Sequence, residues 1–132
     1  MTNLGVTTQP STSISTGSTE IDRRLGGGIP FRTLMLMEGQ PASGKSTLSQ
    51  QLLWGALKSG ESATIYITEQ TVQSFLRQMD SLGLSVTDYF LLDQLRVYPV
   101  ALSDETTDAA VAFDELSRHI TEEQASRVFV ID

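Results

Sequence analysis

The chain has no cysteine, one histidine and two lysines among its 132 residues. Without cysteine there is neither a disulfide framework nor a thiolate metal site, which fits a reducing interior. A lone His119 rules out a histidine-rich metal cluster. No run of about 18 apolar residues occurs, so no segment reads as a membrane-spanning helix. Met1 to Gly17 is rich in Ser and Thr and carries neither the basic nor the apolar region of a signal peptide. The expected setting is soluble and cytoplasmic. Nine basic residues stand against sixteen acidic ones, a formal net charge of −7. One of the two lysines falls inside a glycine-rich motif, so no basic face is left to hold a nucleic-acid backbone. Hydrophobic residues make up 39% of the chain, enough at this length for one core and not for two.

What is present is concentrated in one place. Leu34-Met35-Leu36-Met37 is a short apolar run, and after Glu38 comes Gly39-Gln40-Pro41-Ala42-Ser43-Gly44-Lys45-Ser46-Thr47, a G-x-x-x-x-G-K-S sequence. A triphosphate needs many donors converging on a small volume. Glycine at both ends lets a loop turn tightly enough to aim successive backbone N–H groups inward. The helix that follows presents its own unpaired N–H groups and positive dipole end to the same anion. Lys45 supplies a point charge to the β- and γ-phosphates, and the Ser46 hydroxyl is placed to ligate Mg²⁺. The motif requires a strand before it and a helix after it. Leu34 to Met37 predicts the strand, and Leu48, Leu52, Leu53, Ala56 and Leu57 recur at helical spacing until Gly60.

Residues 1–13 are polar and aperiodic, and are expected to form a disordered arm ahead of a domain over 14–132. Ser18 or Thr19 can cap a short helix with acids in its first turn and Arg23 and Arg24 in its last. Gly26-Gly27-Gly28-Ile29-Pro30 breaks it. Ala63 to Thr68 is a β-branched and aromatic strand, and Thr71 can cap a helix with apolar positions at Val72, Phe75, Leu76, Met79 and Leu82. A third strand is predicted over Leu95 to Tyr98, ended by Pro99. Ser103 to Asp108 reads as a solvated acidic connection. Val111, Ala112, Leu116 and Ile120 mark another helix, and Val128 to Ile131 a fully apolar strand. Strand and helix alternate, which implies an α/β fold with a parallel sheet, right-handed crossovers and helices on both faces. Gly39, Glu69 and Asp132 then fall at the carboxyl ends of strands, the edge where such sheets bind ligands.

Two carboxylates can complete a site there. Asp132, ending an apolar strand downstream of the phosphate loop, is the candidate to hold Mg²⁺ through its water shell, the Walker B arrangement. Glu69 can accept a proton from, or orient, a water attacking the γ-phosphate; alternatively it only starts the following loop or caps a helix. Gln70 can orient a water or cap a helix. Trp54 fits packing better than stacking on an adenine, and His119 is expected to face solvent or the helix dipole.

Taken together, Thr16 to Pro30, the phosphate loop, Tyr66-Ile67-Thr68-Glu69-Gln70-Thr71 and Val128 to Asp132 resemble the RecA-like P-loop ATPases of the KaiC branch. Leu48 to Leu52, Ser74 to Met79 and Leu95 to Pro99 are similar to the FlaH-type accessory ATPases of the archaellum motor. The resemblance implies ATP binding at Gly39 to Thr47, Mg²⁺ held by Ser46 and Asp132, and Glu69 in the place of the catalytic glutamate. It also implies a homo-oligomeric ring, with the motor's principal ATPase and membrane platform proteins as partners. Clock-type KaiC domains carry two adjacent glutamates where this chain has Glu69-Gln70. That difference implies weak or no hydrolysis. The family continues beyond the Walker B strand, so the chain is expected to be the N-terminal part of a RecA-like core. Two other outputs are weighed beside the FlaH type. One is an active KaiC-type signalling ATPase, and the other a recombinase relative on single-stranded DNA, against which the acidic balance counts.

Overall fold

The computed structural model describes residues 12–100 and 108–132. Its central sheet has three parallel strands in the order β4-β3-β5: β3 is Ala63–Ile67, β4 Leu95–Pro99 and β5 Val128–Ile131. Ala63 stands opposite Leu95 on one side and Val128 on the other, so β3 is the middle strand. All five of its residues are buried, as a strand covered on both faces must be.

Alternation along β3 sends Ala63, Ile65 and Ile67 to one face. There they pack with Leu53 and Leu57 of α2 (Lys45–Lys58), Phe75 and Met79 of α3 (Val72–Ser81), Val86 and Leu95. Thr64 and Tyr66 point the other way. The Thr64 hydroxyl bonds that of Ser126 at 2.5 Å, and the Tyr66 phenol bonds Nδ1 of His119 at 2.6 Å on α5 (Ala109–Glu122). Helices therefore cover both faces of a parallel sheet. Arg96 of β4 pairs with Glu123 just past α5 and with Asp93, fastening that helix's end to the sheet.

The helix caps follow from side-chain chemistry. Ser18 accepts from the Ile21 N–H at the start of α1 (Thr19–Arg24), and Thr71 from Ser74 N–H at the start of α3. Asp108 caps α5 through Ala110 N–H. Two elements lie outside what the sequence predicts: a two-stranded antiparallel pair, β1 (Ser13–Ile14) with β2 (Ile29–Pro30), and the short α4 (Thr87–Leu91). Residues 1–11 of the expected arm and 103–107 of the expected acidic connection lie outside the described residues.

One predicted strand is absent. Leu34 to Met37 pairs with no described strand, and Leu34 and Leu36 are 98% and 79% exposed. An apolar run specifies a tendency to be extended, but a strand also needs a neighbour's N–H and C=O groups. In the described sheet β3 alone pairs on both sides, and neither β4 nor β5 takes Leu34 to Met37 as a partner. Gly39 thus follows a segment that pairs with no described strand, whereas Glu69 and Asp132 lie just beyond the carboxyl ends of β3 and β5.

Candidate functional site

The loop from Gly39 to Gly44 runs into α2, and its geometry depends on glycine at both ends. A Cβ at Gly39 would lie 2.6 Å from the Ser43 hydroxyl. Gly44 is the residue before the helix, with φ +93° in the left-handed region that glycine adopts without steric cost. Helices α1, α3 and α5 begin with a side-chain oxygen bonded to a first-turn N–H, and α2 does not. The N–H groups of its first turn are turned toward the loop with no capping side chain in competition, the arrangement that suits an anion. Inside the loop Ala42 has φ +62°, a conformation an L-residue adopts at a cost.

Lys45 reaches back across this loop. Its amine donates to the carbonyls of Gly39 at 2.7 Å and Gln40 at 3.0 Å, which holds the charge over the residues expected to wrap a phosphate. Ser46, the next residue, donates from Oγ to Oδ1 of Asp132 at 2.9 Å, across a separation of 86 residues. The two residues expected to share a metal are therefore in contact. Among the described residues no three His, Cys, Asp or Glu side chains converge. A hydroxyl and a single carboxylate are hard oxygen donors that would leave most of a cation's shell to phosphate and water, the habit of Mg²⁺ and not of Zn²⁺.

The main chain of Asp132 is tied to β3. Its N–H donates to the Tyr66 carbonyl at 2.9 Å, and its carbonyl accepts from the Thr68 N–H at 2.9 Å and the Thr68 hydroxyl at 3.0 Å. Glu69, exposed, directly follows Thr68. Gln40, Pro41, Ala42, Ser43 and Thr47 are exposed along the loop and helix start.

Other residues singled out by sequence have plainer surroundings. The Trp54 ring has the Lys58 ammonium 4.5 Å from its centroid, and a Cβ on Gly17 would meet it at 2.5 Å, so the indole packs between the N-terminal segment and its own helix. His119 is half-buried in the last turn of α5, on the helix-dipole side of the expectation, and is bonded to Tyr66 and edge-on to Tyr98. Burial, with Glu123 and Tyr98 nearby, pushes the Tyr66 phenol above its ordinary range. An open cleft of about 390 Å³ lies beside these rings, lined in part by Pro99, Glu115 and Leu116.

A phosphate loop opening an uncapped helix, with its serine bonded to a strand-end aspartate, is the geometry of a P-loop ATPase core. The sequence model of the ATPase family described as KaiC matches residues 14–132. The chain belongs to the KaiC ATPase family. Within this KaiC-family comparison, the archaeal flagellar ATP-binding protein FlaH of Sulfolobus acidocaldarius is 39% identical over 87 residues, 66% of this chain and 38% of that protein. FlaH of Methanocaldococcus jannaschii is 37% identical over 92 residues, 67% of this chain and 40% of that protein. The crystal structure of the flagellar accessory protein FlaH from the same organism superposes with a TM-score of 0.72 at 29% identity, covering 93% of this chain and 54% of that one. The chain thus spans about half or less of the length of these relatives.

Proposed function

We propose that this chain is the ATP-binding part of a FlaH-like accessory component of the archaellum motor, one whose nucleotide state sets its assembly and whose hydrolysis is weak or absent. The observation that carries the reading is the 2.9 Å bond between Ser46 and Asp132 at the mouth of the phosphate loop. Residues 14–132 are read as the N-terminal part of a RecA-like ATPase domain, a reading supported by their match over about half of the FlaH structure.

In this reading Gly39, Gln40, Pro41, Ala42, Ser43, Gly44 and Thr47 wrap the phosphates with main-chain donors. The Lys45 amine exchanges its two loop carbonyls for β- and γ-phosphate oxygens. Ser46 and Asp132 would hold Mg²⁺, which neutralises charge on the phosphates when bound. Glu69 orients or deprotonates water, and Gln70 beside it supplies no second carboxylate, which supports slow turnover. By the FlaH likeness, partners are further copies in a ring, the motor's principal ATPase and membrane platform proteins, on the cytoplasmic side. No described helix is long and apolar enough to cross a membrane.

An active KaiC-type ATPase is the second reading, favoured by Glu69 standing exposed at the carboxyl end of β3 next to the residue that binds Asp132. Steady-state phosphate release separates the two. Release near background, unchanged in Glu69→Gln, is expected for the accessory role; rapid release abolished by that substitution would make the protein an enzyme in its own right.

A further inference from the structure

We propose that Thr68 is a positioning residue for the metal-side carboxylate: its hydroxyl fixes the direction in which Asp132 presents its side chain to Ser46 and the cation. The inference rests on the nucleotide and Mg²⁺ reading above and adds to it a residue that neither the phosphate loop nor the strand-end aspartate singles out.

The paired register of β3 and β5 ends at Tyr66 opposite Ile131, one residue short of Asp132. Beyond that point Asp132 is held by Tyr66, whose carbonyl accepts its N–H at 2.9 Å, and by Thr68. Thr68 gives the Asp132 carbonyl two bonds, from N–H at 2.9 Å and from Oγ1 at 3.0 Å. A carbonyl oxygen has two lone pairs, and one residue occupies both. The N–H bond extends the ladder and any residue but proline could make it. The hydroxyl bond is specific to Thr or Ser.

The second bond matters because of where β5 lies. It is an outer strand of the described sheet, paired on one side only, and the Asp132 side chain makes its one described hydrogen bond, with Ser46. A carboxylate that holds a cation through water must stay at a fixed distance and angle, and the groups that orient a ligand set its affinity almost as strongly as the ligand itself. With its N–H held by Tyr66 and its carbonyl oxygen by both Thr68 donors, the Asp132 main chain is fastened on either side of Cα, which keeps its Cα–Cβ vector aimed at Ser46. Thr68 also directly precedes Glu69, so the same clamp sets the strand end that carries the second carboxylate.

Thr68→Val keeps the β-branched shape and the main-chain bond and removes only the hydroxyl, while Thr68→Ser keeps the hydroxyl. The test is calorimetric titration of a slowly hydrolysed ATP analogue into the wild-type protein and both variants, with Mg²⁺ and with EDTA. Thr68→Val is expected to lose about tenfold of the affinity gained from Mg²⁺. Its EDTA affinity should match wild type, and Thr68→Ser should recover most of the loss. An unchanged Mg²⁺ gain in Thr68→Val overturns the proposal. So does an equal loss with and without the metal, a failure to fold, or a Thr68→Ser variant as weak as the valine, since each makes the residue merely structural. A wild-type protein that binds nucleotide but gains nothing from Mg²⁺ overturns the metal role of Ser46 and Asp132 and this proposal with it, an outcome distinct from failure of Thr68 alone.

Discussion

Ser46 and Asp132 are joined by a 2.9 Å hydrogen bond although they stand 86 positions apart in the chain, so the fold itself brings the first turn of α2 to the end of β5. The bond sets the position of the serine hydroxyl before any cation arrives. Ser46→Ala removes the hydroxyl proposed as an oxygen ligand and frees the Asp132 side chain. The Mg²⁺-dependent part of nucleotide affinity should fall by about tenfold or more, with binding in EDTA unchanged. Titration with and without the metal checks this, and an equal loss in both conditions would contradict the assignment.

Ala42 sits in the phosphate loop at φ +62°. The left-handed region costs an L-residue about 1–2 kcal/mol, and glycine occupies it without that cost. Part of the gain is offset because glycine loosens the unfolded chain. Ala42→Gly should therefore raise stability by about 1 kcal/mol or less, with nucleotide binding retained. Urea denaturation measures it, and a fall in midpoint would mean that the loop does not hold this conformation.

Gly55 lies in the middle of α2, where helix propensity alone would favour alanine. Packing opposes that preference. A Cβ at Gly55 would fall 2.1 Å from the Thr16 carbonyl carbon and 2.6 Å from the Gly17 nitrogen, both main-chain atoms that cannot rotate aside. Gly55→Ala should destabilise the protein by about 1–3 kcal/mol. A stabilised variant in the same denaturation assay would show that the segment around Thr16 does not seat against the helix.

Asp22 knots that segment. Its carboxylate accepts from the Ser15 hydroxyl at 2.6 Å, the Thr16 hydroxyl at 2.6 Å and the Thr16 N–H at 2.8 Å, and the Ser15 bond foremost holds its pKa below the ordinary value of 3.8. Because the folded pKa is the lower one, the contribution to stability is complete above the unfolded pKa. It is lost as pH falls through the folded value. Asp93, held down by its bond to Arg96, acts in the same sense. Stability should drop as pH falls below about 4, and Asp22→Asn should lower stability at neutral pH while flattening the acid limb. Identical acid limbs in the two proteins would contradict it.

Much of this architecture is legible in the residues because it is set locally. Thr71 caps α3 and Ser18 caps α1, where a hydroxyl before a helical pattern can satisfy an orphan N–H. The β-branched run of β3 and the apolar run of β5 lie where the sequence predicts. The phosphate loop and Asp132 could be singled out because their chemistry demands particular residues at fixed spacing. What depends on neighbours was not legible. Leu34 to Met37 has a strand's composition but no described partner, and the antiparallel pairing of Ser13–Ile14 with Ile29–Pro30 spans a helix and a glycine turn that carry no pairing signal. His119 meets Tyr66, 53 positions away, a contact that helical periodicity around His119 does not encode. Thr68 looked like one more β-branched strand residue, and only the register of β3 against β5 shows what its hydroxyl reaches.

The most direct test of the account is equilibrium binding of a fluorescent ATP analogue with Mg²⁺ to the wild-type protein and to Lys45→Ala. Lys45 is the one residue whose amine spans the phosphate loop, bonded to the carbonyls of Gly39 and Gln40. Saturable binding by the wild type, weakened by about 2 kcal/mol or more in Lys45→Ala as expected for loss of a charge-assisted contact, is the predicted result. Equal affinity of the two proteins, or no binding by a folded wild type, would contradict the claim that this loop holds a nucleotide.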